Sequence, residues 1–284
     1  TNPNTVLEAR TSDWARVWKC DDAEARTRTI LSIDKARRRA LEGNDEIAHV
    51  MVFEIKKVAK SFPSNTSIGL DTWSFKDIAQ AEDTDLQTLA DVIVGMQRTI
   101  APPRQCLGQL LTLLGKKGGG HRTVCTMPTL IRITTRLDAD RDRKWNSEHA
   151  HEDDSAKPET SCLWAAEERL VEQEILCILS IPAVITLCDI TKFYDSIQYD
   201  TLVERSMSEN DGLLKTALTM MVHASPRTLK IGKALGTVMP PVGRSVVAGC
   251  GRSQSFARCY INKSVDKLRA SFTTGVGGNS LKSA

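Results

Sequence analysis

The chain has 284 residues, of which 41% are hydrophobic and 26% charged, with a formal net charge of +3. That composition excludes a natively disordered chain and supplies enough apolar material for one large domain or two ordinary ones. The longest uncharged run, ILCILSIPAVITLC at 175–188, is shorter than the ~20 residues a membrane helix needs and is interrupted by Pro182, so no membrane segment is expected.

The charge is unevenly spread. Lys and Arg outnumber Asp and Glu by 9 to 3 over 101–144 and by 11 to 2 over 211–284, whereas 145–180 holds 2 against 9. Two basic blocks flanking an acidic one suit a polyanionic partner such as nucleic acid, with solvated faces as the competing explanation. The eight cysteines are scattered with no CxxC pair, which argues against a zinc site. With no secretory leader at the start of the sequence, a reduced, intracellular protein is expected.

Residues 1–60 have helical spacing in DWARVWK and TRTILSIDKARRRALEG, with Gly43 as a stop. Arg37, Arg38 and Arg39 read as a solvated helix face. A turn-rich connection, KSFPSNTSIGLDTW at 60–73, follows, and helical patterns resume through WSFKDIAQ and LQTLADVIVGMQRTI until Pro102 and Pro103. In LGQLLTLLGKKGGGHRTVCTMPTLIRITTRL, two glycine-separated apolar runs predict a hairpin with a cationic tip, and then a basic amphipathic stretch.

WNSEHAHEDDSAKPET at 145–160 reads as an acidic loop. Its histidines and acids raise a metal site, but solvation is the preferred explanation. Thr160 or Ser161 is expected to cap a helix through AAEERLVEQEILCIL, followed by a strand at 183–188. Helices are then expected from Asp200 and Asp211. TLKIGKALGTVM alternates like a hairpin, PPVGRSVVAGCGRSQSFARCYINKSVDKLRA passes from a glycine turn into a basic helix, and SFTTGVGGNSLKSA reads as an unstructured tail.

Strand 183–188 ends on Asp189, a rigid and accessible place for a carboxylate that could bind Mg²⁺. Five residues on stands Tyr194, followed by Asp195. This stretch, DITKFYDSI, resembles the first palm motif of reverse transcriptases. The resemblance implies that Asp189 is the catalytic metal ligand, that Tyr194 packs under the incoming sugar and excludes a 2′-hydroxyl, and that Asp195 is not a ligand. Lys192 would point to solvent or the nucleic-acid backbone.

KKGGGHRTVCTMPTLIRI is similar to the family's fingers hairpin, which implies that Lys116 or Lys117 and Arg122 contact the triphosphate. GRSVVAGCGRSQSFARCYI resembles the second palm motif, with Gly249 allowing a close backbone approach to the base pair. Together with FPSNTSIGLDTW and DSAKPETSCLWAAEERL, the likeness covers roughly 60–265 and is nearest the non-LTR, LINE-type retroelement enzymes.

The resemblance implies an α+β fold with right-hand polymerase fingers and a partial palm, helix-rich with a small antiparallel sheet. The expected divisions are an N-terminal helical segment (1–60), a fingers-like region (61–180), a partial palm (181–268) and a tail (269–284). The implied function is RNA-directed DNA polymerisation by two-metal nucleotidyl transfer, with Mg²⁺, deoxynucleoside triphosphates, an RNA template and a DNA primer, in the nucleus.

Two departures qualify this. Ala248 stands where the family's second motif has Gln, and no aromatic–x–Asp-Asp turn follows Asp266. A fragment with little or no polymerase activity is therefore expected, the rival reading being a non-catalytic nucleic-acid-binding remnant.

Overall fold

The computed structural model describes residues 2–43, 47, 49–151, 154, 161–182, 190–209 and 212–275. The strand expected at 183–188, and Asp189 with it, lies outside the described residues, as does the end of the tail from 276.

The chain opens with α1 (Pro3–Val17), α2 (Ala23–Glu42) and α3 (Val52–Lys60). Asn2 and Asp22 cap α1 and α2 by accepting hydrogen bonds from the amides of Asn4 and Ala25, as short polar side chains do at helix starts. Gly43 is the C-cap of α2, where the glycine stop was expected. Of the arginine triplet, Arg38 and Arg39 are exposed and paired to Asp34 and Glu42, whereas Arg37 is half-buried and donates to the Thr99 carbonyl. After the turn-rich connection come α4 (Phe75–Gln80) and α5 (Asp83–Thr99).

Strands β1 (Gln109–Gly115) and β2 (His121–Thr126) form the expected hairpin, pairing Gly115 with His121 around a five-residue tip. Gly119 and Gly120 take φ values of +88° and +80°, which only glycine adopts without strain. Helices α6 (Thr129–Leu137), α7 (Ala139–Glu148), α8 (Cys162–Ile178), α9 (Phe193–Ser196), α10 (Tyr199–Ser208) and α11 (Leu213–His223) follow. Then come β3 (Arg227–Ile231), β4 (Ala234–Leu235) and α12 (Ser253–Gly275). Ser161 caps α8, as expected, by accepting from the Leu163 amide.

Three expectations need correction. The sheet is mixed rather than antiparallel: its order is β2-β1-β3-β4, and β1 pairs with β3 in parallel. The six helices among the described residues between β2 and β3 belong to the long crossover that a parallel neighbour demands. Residues 145–148 belong to α7 and not to an acidic loop; Asp140 and Asp142 favour its first turn, and His149 stacks on Trp145 at its end. The terminal helix continues through Gly275, so 269–275 are helical rather than tail.

One hydrophobic core runs through the molecule from Leu7 on α1 to Cys259 on α12. Helix α11 sits at its centre with nearly every side chain buried, packed on α2. Its one lysine, Lys215, is buried and paired with Asp138, which avoids leaving a lone charge in the interior. Among the described residues no helix is long and apolar enough to cross a membrane.

Candidate nucleic-acid interface

Three stretches far apart in sequence meet in space through main-chain hydrogen bonds. The Val246 amide donates to the Tyr194 carbonyl at 2.9 Å, and the Ser245 amide donates to the Ile197 carbonyl, also at 2.9 Å. The Cys125 amide donates to the Ala248 carbonyl at 3.0 Å. The segment around Tyr194, the turn before α12 and the β1–β2 hairpin are thereby joined edge to edge.

The turn can approach the hairpin so closely because of one glycine. Gly249 has a φ of +108°, and a Cβ there would lie 2.8 Å from the Cys125 carbonyl oxygen. The close approach at Gly249 in the structure is to the backbone of β2, whereas the resemblance implied an approach to the base pair. At the far end of that strand the cations are free to act. Lys116, Lys117 and Arg122 are all exposed, the first two in the tip and Arg122 opposite Leu114 in the ladder. The hairpin therefore presents three positive groups to solvent on a glycine-hinged loop, a suitable arrangement for phosphate contact.

Tyr194 is half-buried and packs against the core beside Phe193, with ring centroids 5.6 Å apart. Its neighbours are held by the N-terminal helix. Lys192 adopts φ +51° and places its ammonium 4.5 Å from the ring centroid of Trp14. Lys192 is exposed to solvent, as expected, and one side of its ammonium meets this ring. Asp195 is turned inward, and its Oδ1 accepts from the indole N–H of Trp18 at 2.7 Å. Asp195 thus has a structural partner, in keeping with its expected exclusion from the ligand set.

Behind Asp195 lies a buried polar network. Arg227, fully buried, stacks its guanidinium 4.4 Å from the Trp18 ring centroid. It also donates to the Ser245 hydroxyl at 3.0 Å and to the His223 carbonyl at 3.1 Å. The Ser245 hydroxyl in turn lies 3.5 Å from Asp195 Oδ1, and the Tyr199 hydroxyl donates to the Ser245 carbonyl at 2.6 Å. Ser245 carries a φ of +115°, a strained conformation for a residue with a Cβ, which these bonds hold in place.

Burial raises the Asp195 carboxyl above its ordinary value, while the Trp18 hydrogen bond and the Arg227 charge pull it back. Burial also lowers the Arg227 guanidinium and drives His223 down to about 3. Sequence reasoning did not find Trp18, Arg227, Ser245 or Tyr199. The one available signal was Trp14 and Trp18 at helical spacing on α1.

Asp189, the residue to which the resemblance assigns the metal, lies outside the described residues. No protein-family model matches the chain, and no curated protein matches it.

Proposed function

We propose that this chain is the fingers and partial palm of an RNA-directed DNA polymerase of the LINE type. On this reading it binds a DNA primer on an RNA template. The observation that supports this most directly is the convergence just described. The three stretches read as fingers hairpin, first palm motif and second palm motif are sequentially remote, yet main-chain bonds join them.

In this reading Lys116, Lys117 and Arg122 contact the triphosphate, Tyr194 lies under the sugar, and Gly249 supports the turn nearest the base pair. Asp189 would hold Mg²⁺, the ion that neutralises phosphate charge when bound. The rival reading, a non-catalytic nucleic-acid-binding remnant of a retroelement polymerase, shares the binding and differs in lacking the chemistry.

The direct experiment measures fluorescence anisotropy of a labelled primer–template hybrid against protein concentration and salt. Salt-sensitive binding is expected. Absence of binding at low salt would overturn the proposal.

A further inference from the structure

Helix α8 is oriented against the usual rule. Of its 17 residues none is buried. The side nearest the body is half-buried and includes Glu172 and Gln173, while the large apolar side chains face outward. Trp164 is 68% exposed, Val171 54% and Ile178 81%. These three are spaced by seven and so form one row down the helix. Leu163 and Leu170, also seven apart and exposed, form a second row. Between the rows lie Glu167 and Glu174, both exposed.

An apolar surface of this extent marks an interaction site on a folded protein. The row of glutamates defines what fits there. Helix α8 carries Glu167, Glu168, Glu172 and Glu174 against Arg169 alone, a net charge of −3 from its own residues. Among the described residues none of these groups forms an ion pair. A second copy of α8 would set glutamate against glutamate, which costs energy once water is excluded. An anionic lipid surface meets the same objection.

We infer that α8 is a docking face for a basic amphipathic helix of another protein, whose apolar residues enter the two rows while its lysines or arginines pair with Glu167 and Glu174. This inference goes beyond the polymerase reading and does not depend on it.

The test uses the full chain and two synthetic amphipathic helices, one of Leu and Lys and one of Leu and Glu. The Leu/Lys helix is expected to shift tryptophan emission to the blue, a change absent in Trp164→Phe and weakened by salt. Glu167→Lys with Glu174→Lys should weaken Leu/Lys binding by about tenfold, near 1.4 kcal/mol, and raise affinity for Leu/Glu. Because α8 gives no side chain to the core, these variants should melt like the parent. Equal binding of the two helices, or no response to charge reversal, would overturn the inference. So would self-association that Val171→Ser and Ile178→Ser abolish, or an equal emission shift on anionic vesicles.

Discussion

The indole N–H of Trp18 donates to Asp195 Oδ1 across 2.7 Å, tying the end of α1 to a position 177 residues later. This bond, with Lys192 over Trp14, anchors the segment carrying Tyr194 on the N-terminal helix. That helix is therefore part of the site's framework. Removing the donor leaves a buried carboxylate oxygen short of a partner, at a cost of about 1–3 kcal/mol. Trp18→Phe should lower unfolding free energy by at least that amount in urea titrations, because it also withdraws the buried ring on which Arg227 stacks. Asp195→Ala, which removes the acceptor, should be clearly non-additive with it, because both changes break one interaction. Additive effects would show that the bond contributes little.

His223 is predicted to make the fold acid-sensitive. Its ring is fully buried against Phe256, both ring nitrogens lack hydrogen-bond partners, and burial depresses it from 6.5 to about 3. The folded state then binds fewer protons than the unfolded state between those values, so the slope of stability with pH is positive. Its contribution is complete above pH 6.5 and is lost as pH falls towards 3, by at most about 1.4 kcal/mol per pH unit. Asp195 and Asp71 are raised by burial and act oppositely, losing stability as pH rises above their unfolded value. Comparing the parent with His223→Leu isolates the histidine. Denaturation at pH 7 and pH 5 should show a smaller loss in the variant, and an equal loss would remove His223 as the cause.

Local chemistry was legible in the sequence wherever one residue type decides the conformation. Three consecutive glycines marked the hairpin tip, and Ser161 marked the start of α8. Long-range pairing was not legible. Nothing near Arg227 announces that an arginine heading a strand is fully buried, because its partners on α1 and at Ser245 are remote in sequence. Helix α7 escaped notice for another reason. ADRDRKWNSE buries only Asn146 and so carries no apolar stripe to set a helical period. The parallel register of β1 with β3 depends on how the intervening helices pack, which periodicity does not encode.

Gly249 is where the turn before α12 meets the hairpin, so its substitution tests their union. Alanine there would have to adopt φ +108° with its Cβ 2.8 Å from the Cys125 carbonyl oxygen. A strained φ alone costs about 1–3 kcal/mol, and the clash adds to it. Gly118→Ala is the control, since nothing lies within 4 Å of its added Cβ. Thermal melts should show a drop of several degrees for Gly249→Ala and nearly none for Gly118→Ala; comparable melts would mean that the turn relaxes away from β2 freely.

The hairpin cations give the most direct prediction about function, because they are exposed and their loss should leave the fold intact. Lys116, Lys117 and Arg122 lie in or beside a solvent-facing loop with no core contact to lose. Each phosphate they neutralise releases condensed counterions, and the salt dependence of binding counts those phosphates at about 0.7–0.9 per contact. Replacing all three by alanine should therefore weaken primer–template binding at low salt and reduce the slope of log K against log salt by about 2–3. Urea stability should stay within about 0.5 kcal/mol of the parent, as for surface substitutions generally. Reduced affinity with an unchanged slope would show that these groups do not touch the primer–template phosphates.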